Sequence, residues 1–225
     1  MLIIRKAASP IDRKLPKPKT EPIILGVLHS PECEERELQW VADQMAKRKP
    51  GKSAIELPTD FREKEGTTTF FFGKLVPVCE VFDSEVIPID HPLLIERARI
   101  VSKAIDILEQ GYTEEDITKD VMRIAQTAFY GPPESSDSDM ARARVLAHAY
   151  LLIRLGNGME SLMKTWAGLM RRREALMTKK IIKERPQMVI VGDAHAMALH
   201  GQLEDYSYLK SPYVPKDGRI RMFSI

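Results

Sequence analysis

Two short apolar runs, one near each end of the chain, constrain the fold more than any other feature of the sequence. Residues 23–25 in "PIILGVLHS" and 188–191 in "QMVIVGDAHAMAL" are continuous rather than alternating, and each is closed by a glycine with a histidine three residues further on. A short apolar run without alternation suits a strand buried on both faces, as in a parallel sheet covered by helices. The glycines are Gly26 and Gly192, the histidines His29 and His195. Twelve glycines and 5 histidines in 225 residues yield roughly 0.3 such pairs by chance, so the duplication is suggestive without being decisive.

Helix signals follow the first run at once. Ser30 suits a cap, Pro31 a first helical position, and Glu32, Glu34 and Glu35 load the first turn against the helix dipole. Leu38, Val41, Ala42 and Met45 fall at helical spacing before a basic stretch ending in Pro50 and Gly51. "SAIELP" is then a second short strand. A strand, a helix of about four turns and another strand form a βαβ unit with parallel strands. His29 and Glu56 therefore both lie at carboxyl ends, where open α/β sheets bind ligands.

The middle of the chain reads as mostly helical. Residues 60–84 carry threonines and phenylalanines that suit a strand, yet a helix interrupted near Pro77 is favoured. "EVIPID" (85–90) is a third strand ending in Asp90, and Pro88 argues against a fully hydrogen-bonded central place for it. Residues 92–110 make a long amphipathic helix ended by Gly111. Thr113 with Asp116 caps the next helix, which runs to about residue 129. "GPPESSDSD" (131–139) is the clearest internal loop. Helices over 140–155 and 159–183 precede the last core strand, and the tail "RIRMFSI" is expected to add an edge strand. The expected class is α/β: a central, mostly parallel sheet flanked by helices, with a helical insertion between the third and last core strands. Residues 1–21, basic and proline-rich, form an N-terminal arm to a single domain over 22–225.

Bulk properties narrow the function classes. A net charge of +2 with both signs nearly balanced points to no nucleic-acid partner. No 18-residue apolar run exists to span a membrane. Two cysteines, Cys33 and Cys79, imply no disulfide framework, and a cytoplasmic location is the simplest expectation.

Should the first and last strands be neighbours, His29 and His195 face each other, and with Glu56 they make a two-histidine, one-carboxylate set suited to a divalent first-row metal with open positions. Such an ion lowers the pKa of bound water and polarises a carbonyl. Read singly, each histidine serves equally well as a loop residue hydrogen-bonded to a backbone carbonyl, and Glu56 as a carboxylate exposed at a strand end. Arg173 lies in the apolar stripe of its helix, three residues after Met170 and four before Met177, so it needs an anionic partner such as Glu56, Asp90 or a substrate oxyanion; snorkelling at the margin is the alternative. Gly26, Gly192, Asp193 and His91 are expected to line the cleft. Cys33 reads as a packed thiol and His148 as a core histidine. No glycine-rich phosphate loop, Gly-x-Ser-x-Gly elbow or His-Glu-x-x-His motif occurs.

The segments "LGVLHS", "AIELP", "VIPIDHP", "RREALM" and "VIVGDAHAMAL", in that order, resemble the TraB/PrgY/Tiki family, part of a wider group with erythromycin-esterase-like and ChaN-like proteins. The family's marks are two Gly-x-x-His motifs, a strand-end glutamate and an Arg-x-x-x-Met segment; they fall on Gly26, His29, Glu56, Arg173, Met177, Gly192 and His195. His91 stands where arginine is usual, and Glu174 where asparagine or aspartate is common. The resemblance implies an α/β fold with its site on the two motif loops. Tiki-like members look like manganese- or cobalt-dependent proteases, TraB and PrgY are tied to peptide pheromone shutdown, esterase-like members activate water with a histidine, and ChaN-like members bind haem. The expectation is a metal-dependent hydrolase of an amide or ester carbonyl in a peptide or small molecule, with His29, His195 and Glu56 as ligands and Glu56, Arg173 and Asp90 as catalytic groups. The alternatives are a non-catalytic protein binding a small ligand or haem, haem being the less expected, and a metal-free esterase; a homo-oligomer fits any of these.

Overall fold

The computed structural model describes residues 21–61, 71–130 and 133–213. Five strands form one sheet: β1 (Ile23–Val27), β2 (Lys52–Pro58), β3 (Glu85–Asp90), β4 (Met188–Gly192) and β5 (Ser207–Lys210), in the order β3-β2-β4-β1-β5. Every pairing is parallel. Seven helices accompany it among the described residues: α1 (Glu34–Arg48), α2 (Phe71–Val81), α3 (Pro92–Gln110), α4 (Glu114–Tyr130), α5 (Pro133–Arg154), α6 (Met159–Glu184) and α7 (Asp193–His200). The class is α/β, with α3 to α6 inserted between β3 and β4. No described helix is long and apolar enough to cross a membrane.

The runs without alternation are buried on both faces. On β1, Ile23, Leu25 and Val27 pack with Val41 and Met45 of α1 and Leu75 and Cys79 of α2. Ile24, on the other face, joins Val189 and Val191 of β4, Met177 and Ile181 of α6, and Ala196 and Leu199 of α7. A third cluster, built from Leu94, Val101, Ile105, Leu146 and Leu162, belongs to the insertion itself. Burying a side chain of this size contributes about 1.5–3 kcal/mol, so the layers are held by both faces of the sheet.

Several expectations meet the structure differently. The first and last core strands are neighbours: β4 lies between β1 and β2, so α1 crosses over β4 to reach β2. Pro88 does sit on an edge strand. Helix α1 starts at Glu34, because Ser30–Cys33 forms a turn closed by Cys33 N–H donating to the Ser30 carbonyl at 3.2 Å; Ser30 Oγ donates to Glu32 instead of capping. The expected loop at 131–139 is cut short by α5, which begins at Pro133, a residue whose fixed φ suits a first helical turn. Thr113 and Asp116 do form a reciprocal capping box on α4. His148 is exposed on α5 rather than in a core, because the interior-facing positions there are Leu146 and Ala149. An edge strand exists, but it is residues 207–210; the tail strand expected at 219–225, like residues 1–20 of the N-terminal arm, lies outside the described residues.

Candidate active site

The carboxyl ends of β2, β3 and β4 bring Glu56, Asp90 and Gly192 together, and α6 and α7 supply the groups that face them. Glu56 is not the last residue of its strand, which runs on to Pro58. It lies in a bulge: the pairing Ile55↔Pro88 is followed by Pro58↔Asp90, three residues of β2 against two of β3. Bulges of this kind re-aim a side chain, and here the carboxylate meets Arg173. The Arg173 Nη2 donates to Glu56 Oε1 at 2.9 Å and also to Asp90 Oδ2, while Nε donates to Asp90 Oδ1 at 3.1 Å. All three side chains are at least nine-tenths buried. The arginine thus reaches the core through its stripe position and grips two carboxylates. It is positioned to hold those carboxylates rather than to receive a substrate oxyanion, since its fork is already occupied.

The last motif supplies His195, in the first turn of α7 and 8% exposed. Its Nδ1 stands 3.1 Å from Glu174 Oε1 and its Nε2 3.6 Å from Glu56 Oε1. Glu56 Oε2 accepts the Gly192 N–H at 2.8 Å. A Cβ placed on Gly192 would lie 3.4 Å from both Glu56 Oε2 and His29 Nε2, which bounds the separation of those two atoms at twice that distance. Gly192 is therefore the floor over which the first-motif imidazole and the strand carboxylate approach. His29 itself is exposed, its ring 5.5 Å from that of Phe72.

The charges agree with the geometry. Burial opposes ionisation of His195, yet the Glu56 and Glu174 carboxylates raise its pKa above the ordinary value. Burial would likewise raise the Glu56 pKa, but His195, Arg173, His29 and the Gly192 N–H together hold it below the usual carboxylate range. The Glu56 and Glu174 carboxylates thus both bear on His195, with Arg173 opposing them.

The other expected residues are distributed as follows. Gly26 lies inside β1 rather than at its end, and its role is close packing against protein, not ligand: a Cβ there would meet Asp193 Oδ1 at 2.5 Å and Ala196 Cβ at 3.1 Å. Asp193, 3% exposed, faces Tyr208 and Lys210 on β5 instead of the Glu56 cleft. His91 is exposed at the start of α3, and its backbone N–H donates to Asp90 Oδ1 at 2.7 Å. Cys33 is half-buried, its Sγ 3.5 Å from the Leu28 and Ser30 carbonyls, as a packed thiol should be. Among the described residues no three imidazole, thiolate or carboxylate groups already stand at the spacing of a metal shell.

Sequence reading did not identify Glu174 as the partner of His195. Helical periodicity carried no signal for it, since neighbouring positions on a helix do not share a face. Glu37 did carry a signal, since it falls four residues before Val41 and eight before Met45, a charge on the apolar stripe of α1. No family model, no curated protein and no solved structure matches this chain.

Proposed function

We propose that the protein is a metal-dependent hydrolase of an amide or ester carbonyl, with His195, Glu56 and His29 as the residues that would hold a divalent ion. The observation that carries this reading is the Glu174–His195–Glu56 alignment. A carboxylate at 3.1 Å fixes one imidazole nitrogen, and the other is turned toward a second carboxylate. A histidine anchored in this way through its far nitrogen is the usual arrangement behind a metal-binding imidazole.

The residues fit a cation in their chemistry. The Glu56 and Glu174 carboxylates that raise the His195 pKa would favour a metal ion in place of that proton. Binding would therefore release a proton and strengthen as pH rises. Glu56 Oε1 and Oε2 each accept one hydrogen bond, from Arg173 and Gly192, which leaves a lone pair on each oxygen. His29, exposed on its loop, is the outermost donor of the three. When bound, the ion supplies Lewis-acid polarisation and a more acidic water. The chain's own residues do the remainder. Glu174 holds the His195 ring in one orientation. Arg173 and Asp90 hold Glu56, and Glu56 takes the proton of the attacking water if it is free of the ion.

Metal analysis tests the assignment. Chelator-treated protein reloaded with manganese, cobalt or zinc is expected to retain one ion per chain, and the His29→Ala/His195→Ala double variant to retain none. Equal metal content in the two proteins rejects the ligand set. The same Glu174–His195 pair supports a second reading, a metal-free esterase in which His195 activates water. Hydrolysis that survives chelation would select it.

A further inference from the structure

We infer that β5 and the turn after it are a brace holding both histidine loops, with Tyr208, Ser211 and Glu37 as positioning residues. The inference rests on the reading of His29 and His195 as site residues. It starts from three polar side chains that the proposed chemistry leaves unused, each tied to one strand at the sheet edge.

The second loop is held through Asp193, two residues before His195 and 3% exposed. The Tyr208 hydroxyl donates to Asp193 Oδ1, and Lys210 Nζ lies 3.4 Å from Oδ2. The first loop is held through Glu37, fully buried on α1. Its Oε1 accepts the Leu28 N–H at 3.1 Å, next to His29, and the Ser211 hydroxyl at 2.7 Å. Ser211 N–H donates in turn to the Gly26 carbonyl at 2.9 Å, and Tyr213 N–H to Ser211 Oγ at 3.2 Å. Residues 208 and 211 of one short segment thus reach both motifs, three positions apart.

Simple packing does not account for this arrangement. Burying two carboxylates carries a desolvation cost that apolar side chains filling the same space would avoid. What carboxylates add is direction: each accepts hydrogen bonds from a fixed set of donors and so fixes where a loop sits. A four-residue edge strand contributes little burial of its own, yet the strand and the turn after it are what both loops share. Tyr208 governs His195, while Ser211 and Glu37 govern His29.

The test reads the imidazoles directly. Long-range proton–nitrogen spectra of the metal-free full chain, at one fixed pH, are compared for Tyr208→Phe, Ser211→Ala, Glu37→Ala and Glu37→Gln. Tyr208→Phe is expected to move the ring signals of His195 and leave His29 in place. Ser211→Ala and Glu37→Ala are expected to do the reverse. Glu37→Gln should restore the His29 signals, because an amide oxygen accepts the same two hydrogen bonds. Manganese affinity should fall about tenfold in Tyr208→Phe and Ser211→Ala. Ring signals that stay at wild-type positions in those two mild variants overturn the brace. So do both rings moving together in every variant, Glu37→Gln included, as general loosening would produce. Failure of the wild-type chain to bind manganese would count against the metal reading alone, since the ring shifts decide the brace without it.

Discussion

At the scale of single residues, the site is governed by how few charges are left without partners. Arg173 bridges Glu56 and Asp90, and all three side chains are nine-tenths buried or more. Arg173→Met would take the hydrogen-bonded guanidinium away from two buried carboxylates. A loss of about 3–5 kcal/mol is expected, read as a lowered urea midpoint with an unchanged slope. Titration offers a second check. The His195 pKa is raised in the folded chain, so the stability it contributes is present below the ordinary value of about 6.5 and is lost as pH climbs through the folded value. For Glu56 the folded pKa is lowered, so its contribution is present above about 4.3 and lost as pH falls through the folded value. In metal-free protein, the stability difference between wild type and His195→Gln should therefore shrink as pH rises past about 6.5. A difference that is flat or grows over that range would show that the imidazole gains nothing from its carboxylates.

Elements decide which residues meet, and most of them were legible in the sequence. The continuous apolar runs announced buried parallel strands, and β1, β2, β3 and β4 all form where expected. Periodicity put Arg173 in the apolar stripe of α6 between Met170 and Met177 but left snorkelling open; the structure buries it. Three things were not legible. The bulge that turns Glu56 follows from how β2 registers against β3, which no local pattern encodes. The position of β4 between β1 and β2 is a property of the whole sheet. The strand β5 is four half-buried residues with no apolar run to mark it. Gly26, expected to line the cleft, is instead where helix α7 approaches β1. Gly26→Ala is accordingly expected to push α7 off β1, since the added carbon would meet Asp193 and Ala196. A loss of about 1–3 kcal/mol should appear in urea unfolding, with faster amide exchange confined to α7 and β5. An unaltered midpoint would mean that α7 shifts without resistance.

Over the whole molecule, the sheet and the helical insertion have separate interiors. The cluster around Ile105 and Leu162 shares no buried member with the two clusters that cover the sheet, and α6 is the element that reaches both, through Leu162 at one end and Ile181 at the other. Ile105→Ala, at a fully buried position, should lower stability by about 2–5 kcal/mol. Its effect on amide exchange should concentrate in α3, α4 and α5 and leave β1 and β4 slow; uniform acceleration throughout would indicate a single cooperative unit. The strand order carries one more implication, for how the chain is made. Because the gap between β1 and β2 is filled only by residues 188–192, a ribosome that has released the first 180 residues has released no finished sheet. β2 and β3 can pair with each other, but β1 must wait, apolar and without a neighbour, through the synthesis of four helices. The folding nucleus is thereby biased toward contacts far apart along the chain, which fold slowly and favour chaperone capture in the interval.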